Sequence, residues 1–108
     1  MKPLLSQISP ESLLADIRHR SGEGEFDRLH HIPQEIVEGF RQMGIYRALV
    51  PRRLGGDECS AAEFCRRIEQ ISQADGSAGW VASFGMGIVY LAALPLETLR
   101  TLYRSGPD

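Results

Sequence analysis

The chain has 108 residues, a formal net charge of −2, and is 43% hydrophobic and 24% charged. That is the balance of one small globular domain, and the weakly negative charge argues against non-specific nucleic-acid binding. Two cysteines, Cys59 and Cys65, are too few for a disulfide framework or a four-ligand zinc site.

The elements follow in chain order. Ser9-Pro10-Glu11 reads as a helix start, with proline at the first position and an acid in the first turn. Leu13, Leu14 and Ile17 form its apolar stripe, and Gly22 and Gly24 leave it either broken there or continuing towards Leu29. A second helix starts at Pro33, with Ile36, Val37, Phe40 and Met43 at helical spacing and Gly44 as its terminal glycine. Ile45 to Val50 is too short for a firm strand, and Pro51 to Gly56 reads as a turn. Ser60-Ala61-Ala62-Glu63 is a capping box for a third helix, whose buried stripe is Phe64, Ile68 and Ile71. Asp75-Gly76-Ser77 ends it and caps a fourth, Ala78 to about Leu94. Pro95 opens a fifth, Leu96 to Tyr103, with Leu99 and Leu102 inward. Helical periods without alternation predict an all-α fold, a small orthogonal bundle of about five helices in a single domain spanning 1–108.

The fourth helix is the unusual one. From Gly76 to Leu96 no Asp, Glu, Lys, Arg or His occurs. On a continuous helix Gly79, Ser83 and Gly87 line one side, with Trp80, Phe84 and Ile88 beside them. The spacing predicts a shallow trough with a bulky apolar wall, fit for a close-packed helix or a flat ring. Close helix contact is the first reading of the small-residue stripe. Trp80 is left open between core packing and a pocket wall. A membrane span is the weaker reading of the apolar run, because glycine and serine dilute it; a buried central helix is simpler.

The ordered set of motifs carries a resemblance. Pro33-x-x-x-Val37-x-x-Phe40-x-x-x-Gly44-Ile45-Tyr46-x-x-Leu49-Val50-Pro51, then Leu54-Gly55-Gly56, then Ala74-Asp75-Gly76-Ser77-x-x-Trp80, resembles the N-terminal helical domain of the acyl-CoA dehydrogenase superfamily. The Asp-Gly-Ser-x-x-Trp form is similar to its two-component flavin-dependent monooxygenase branch. The resemblance implies that this chain is the N-terminal part of a three-domain flavoenzyme, followed by a β-domain and a C-terminal helical bundle. It implies FAD or FMN, held mainly by those other domains, and a homo-oligomer as the full-length protein. A separate flavin reductase is a candidate partner. It implies a substrate and flavin pocket walled by Trp80, Ser83, Phe84, Gly87 and Ile88, with Ser83 as the candidate hydrogen-bond donor. None of these is a catalytic acid, base or nucleophile, so the isolated chain is expected to be inactive. Phenol hydroxylases of this branch place a histidine where Ile88 stands, which leaves the substrate class open. An acyl-CoA dehydrogenase domain and a stand-alone helical interaction module are the alternatives.

The remaining features read plainly. His30 and His31, adjacent on a helix, cannot both reach one metal from it, so no metal site is expected. Arg47, Arg52 and Arg53 make a basic patch beside Gly55-Gly56 that lacks the order of a phosphate loop; a solvated turn or subunit contact is the default. Both cysteines read as unreactive. Lys2 is followed by no apolar segment with a small-residue cleavage site, so a cytoplasmic protein without signal peptide or membrane association is expected.

Overall fold

The computed structural model describes residues 9–108; the expectation about the leader at Lys2 lies outside them. All regular structure among the described residues is helical, as the periodicity predicts. Helix α1 (Pro10–Gly22) starts on Ser9, whose hydroxyl accepts the Ser12 N–H at 3.2 Å, and buries Leu13 and Ile17. The chain then breaks at Gly24, which adopts φ 70, and restarts as α2 (Glu25–Leu29). Gly24 thus ends the choice between a broken and a continuous helix, since a left-handed backbone is cheap only for glycine. Helix α3 (Gln34–Gln42) buries Ile36, Gly39 and Phe40. It closes at Gly44 with φ 82, and the Ile45 N–H returns to the Phe40 carbonyl at 3.1 Å, the expected glycine stop.

Residues 45–50 fold as consecutive turns rather than a strand, and bury Ile45, Ala48 and Val50 completely. A short 3-10 turn (Arg52–Leu54) follows. Helix α4 (Ala61–Ala74) is capped as expected by Ser60, which accepts the Glu63 N–H at 3.1 Å. The reciprocal arm of the capping box goes elsewhere: the Glu63 carboxylate pairs with Arg66 at 3.1 Å and Arg67 at 3.6 Å. Ser60→Ala should therefore cost about 1 kcal/mol, while Glu63→Ala should cost no more than a few tenths, as exposed pairs do. Urea denaturation of the two variants side by side checks this.

The apolar run departs most from expectation. It forms α5 (Gly76–Ser83), a 3-10 segment (Phe84–Gly87) and a short α6 (Ile88–Leu91) rather than one helix. Two causes act together. Gly85 and Gly87 weaken the helix just where it must propagate. The Ser83 hydroxyl donates to the Trp80 carbonyl at 2.6 Å, a local bond that competes with the regular ladder. Helix α7 (Leu96–Leu102) buries Leu99, but Leu102, expected inward, is 56% exposed. No helix among the described residues is long and apolar enough to cross a membrane.

Two apolar clusters hold these elements. The larger joins Leu13 and Ile17 of α1, Phe26 of α2, Ile36 and Phe40 of α3, Phe64 and Ile71 of α4, and Ala78 and Ala82 of α5. The smaller joins Val50, Leu54, Ile88 and Leu99, and half-buried Leu49 packs against both. Helix α5 therefore buries its alanine side and turns its bulky side out.

Candidate functional site

Helix α5 owes its seat to two residues. Asp75 closes α4, its N–H bonding the Ile71 carbonyl at 3.0 Å, and opens α5, its carboxylate accepting the Ala78 N–H at 2.8 Å. Gly79 then lets the two helices touch: a Cβ there would stand 2.0 Å from Ser72 Oγ and 2.8 Å from Ser72 Cα. Close helix contact is what the small-residue reading foresaw for this position. Gly87 differs, with no atom within 4 Å of where its Cβ would be. The 3-10 turn advances residues by a different angle from an α-helix, so the stripe Gly79, Ser83, Gly87 does not continue as one trough.

With its small side against α4, α5 presents its aromatic residues outward. Trp80 is 69% and Phe84 59% exposed, with their rings edge to face at 5.8 Å and 74°. The uncharged run is therefore not a buried central helix. Val89 and Tyr90 continue the exposed apolar surface. The Ser83 hydroxyl spends its proton on the Trp80 carbonyl and is left with acceptor capacity only. It borders an apolar groove with Phe64, Ile68 and Met86. Ile88 lies buried in the smaller cluster. Of the five site residues read from sequence, Trp80 and Phe84 share a wall, Gly87 lies in open space, Ser83 faces the groove, and Ile88 is core.

Trp80 also borders a cleft of about 730 Å³ that the sequence reading did not anticipate. Phe26, Asp27, His30, His31 and Ile32 line one side; Gly76, Ser77, Trp80 and Val81 line the other. The volume suits a small organic molecule, with an apolar body and a few polar groups at the edge. His30 and His31, read as a solvated helix end, are exposed on this rim. His30 has φ 60 and terminates α2, and that reversal brings the chain back beside α5. The signal was present in the glycine break before α2, but not the destination of the returning chain.

At the end of α1 an ion-pair network ties α1 to the start of α2 and to α3. Arg20 donates to Glu25 at 2.7 Å and to Glu35 at 2.7 Å, and its guanidinium lies 6.0 Å from the Phe26 ring centre. Glu25 first, then Glu35, holds the Arg20 proton more tightly, and Arg20 in turn holds the Glu35 carboxyl below its ordinary range. Arg47 pairs with Asp57 at 3.4 Å, while Arg52 and Arg53 are exposed. Cys59 and Cys65 are free thiols. Among the described residues no group of three His, Cys, Asp or Glu side chains is gathered to hold a metal.

The chain is thus a small all-α domain that seats one glycine-bearing helix tightly and turns an aromatic pair outward. The sequence model described as Acyl-CoA dehydrogenase, N-terminal domain, matches residues 15–100, and the chain belongs to this family. It is 60% identical over 98 residues to indole-3-acetate monooxygenase of Pseudomonas putida, covering 91% of this chain and 25% of that protein. It is 53% identical over 101 residues to indole-3-acetate monooxygenase of Acinetobacter baumannii, covering 94% and 26% respectively. It is also 33% identical over 73 residues to the flavin-dependent monooxygenase oxygenase subunit HsaA of Mycobacterium tuberculosis, covering 68% and 18%. The chain thus spans about a quarter of the length of the first two relatives. No solved structure matches it.

Proposed function

We propose that this chain is the N-terminal domain of a three-domain flavin-dependent monooxygenase, acting on an aromatic acid of the indole-3-acetate kind. The observation that carries the reading is the 60% identity to indole-3-acetate monooxygenase across 91% of the chain. The outward Trp80–Phe84 wall supports it. A flat ring laid there meets two aromatic edges and faces, and the open space at Gly87 leaves clearance for it. FAD or FMN fits such a surface, and reduced flavin supplies the activation of oxygen when bound.

The residues of this chain have a passive share in the chemistry. Trp80 and Phe84 would shield the reacting ring from water and fix its plane, which raises the fraction of productive encounters. Ser83 can accept a hydrogen bond but has no free proton to give. Trp80, Ser83 and Phe84 are not placed to act as acid, base or nucleophile, so the flavin grip and the chemical groups come from elsewhere in the protein. That remainder is the partner of the exposed apolar surface from Trp80 to Leu96, in a homo-oligomeric enzyme served by a flavin reductase. The reading places the protein in the cytoplasm, where two free thiols persist.

The test uses the full-length protein that contains this chain, supplied with FAD or FMN, a flavin reductase, NADH, oxygen and indole-3-acetate. Substrate-dependent oxygen uptake with a product one oxygen atom heavier supports the reading. The 108-residue chain alone should show none. Oxidation of an acyl thioester with an electron acceptor, without oxygen incorporation, would overturn it in favour of a dehydrogenase.

A further inference from the structure

Both walls of the Trp80 cleft hang from two consecutive residues at the end of α1. Arg20 holds one wall through Glu25, the first residue of α2, which carries Phe26 and leads to His30. Ser21 holds the other: its hydroxyl donates to Asp75 Oδ1 at 2.6 Å. This bond links residues far apart in sequence and is partly buried. Its length falls at the strong end for a hydroxyl on a carboxylate. The second oxygen of Asp75 is already committed to the Ala78 N–H, and the Asp75 backbone closes α4. Asp75 thus gathers the ends of three helices, α4 through its backbone and α1 and α5 through its carboxylate. The residues that follow it, Gly76, Ser77 and Trp80, form the far side of the cleft.

We propose that Ser21 is a positioning residue of the cleft, fixing through Asp75 the distance between the Trp80 wall and the α2 wall. The geometry divides the work at Asp75. The bond to Ala78 makes the helix start; the bond from Ser21 decides where that start sits relative to α1. Loss of the hydroxyl leaves the cap formed and the apolar contacts of Ala78 and Ala82 in place, so α5 persists but its first turn is free to shift. Arg20 continues to hold the α2 wall, so the two sides keep their shared apolar core but lose the hydrogen bond that ties the start of α5 to α1. The functional weight of this inference rests on the proposed role of Trp80 as a pocket wall, but its test needs neither flavin nor substrate.

Trp80 is the one tryptophan of the chain, so its fluorescence reports this wall alone. In Ser21→Ala, amide hydrogen exchange over residues 76–81 should speed by roughly tenfold, the loss expected for one charge-assisted hydrogen bond. Acrylamide quenching of Trp80 should change, and exchange in α3 should stay as it was. Ser21→Thr, which keeps the hydroxyl, should restore both readings. Asp75→Asn, which keeps a partner for Ala78 and for Ser21 but removes the charge, should fall between the parent chain and Ser21→Ala. If Ser21→Ala does not fold, Ser21→Cys, with a weak donor of similar shape, should show the same local pattern at smaller amplitude. Unchanged exchange and quenching, or acceleration spread evenly over all helices, would overturn the proposal. Because none of these readings depends on turnover, a failed monooxygenase assay and a failed positioning role are separate results.

Discussion

Gly79→Ala should destabilise the domain by about 3 kcal/mol, the upper part of the range for overpacking a tight site. The added methyl would stand 2.0 Å from Ser72 Oγ, which can swing away, but also 2.8 Å from Ser72 Cβ and Cα, which cannot move without the helix. The strain must spread into the α4–α5 contact, where Ala78 and Ala82 are fully buried. Ser72→Gly removes Cβ and Oγ but leaves Cα, so the double variant should recover roughly 1–2 kcal/mol of the loss, the coupling expected of residues in contact. Gly76→Ala is the control on the same helix. Nothing lies within 4 Å of its Cβ position, so it should be neutral or stabilising by up to about 1 kcal/mol through helix propensity. Denaturant titration of the parent, the two single variants, the double variant and Gly76→Ala gives the numbers. A Gly79→Ala change as mild as Gly76→Ala, or stabilising like it, would mean that propensity, not contact, governs α5.

How much of this was legible in the sequence depends on the range of the interaction. Local signals read through directly: Ser9 and Ser60 cap the helices they precede, Gly44 stops α3, and Asp75 separates α4 from α5. Their geometry is set within a few residues. The face of an apolar helix is a different matter. Uniform apolarity from Gly76 to Leu96 gives no polar side to mark what points outward, so burial of the whole run looked simplest. The structure orients α5 by steric fit instead. Gly79 is the point where α4 comes close enough, and Trp80, the next residue round the helix, then faces out. The 3-10 break was hidden for a related reason. It needs the Ser83 side chain to capture the Trp80 carbonyl in a glycine-weak segment, and helical periodicity continues across it as if unbroken. The cleft was the least legible feature. His30, His31 and Ser21 meet α5 only through long-range packing, and no spacing in the sequence records that meeting.

Trp80→Ala should separate stability from activity more sharply than any other change. The ring is 69% exposed, and its aromatic contact is the edge-to-face pair with Phe84. Its removal should therefore cost the chain no more than about 1 kcal/mol. A buried tryptophan would cost about 3–5 kcal/mol. If the full-length protein is the monooxygenase proposed above, the same substitution should lower its kcat/KM for the aromatic acid by roughly 100-fold, the scale of a misplaced reacting group. It should also raise the oxygen consumed per product formed, because water reaches the reacting centre. Trp80→Phe keeps an aromatic surface and should retain most of the coupling. Chemical denaturation of the chain and product-per-oxygen ratios of the enzyme test the two halves independently. A large stability loss would place the ring in a core and remove it from the pocket. Normal stability with normal coupling would leave the wall without a catalytic share, and the exposed aromatic surface would then serve domain packing alone. The combination expected here, a nearly silent change in folding with a large loss in coupling, requires that the side chain be held ready for something outside this domain.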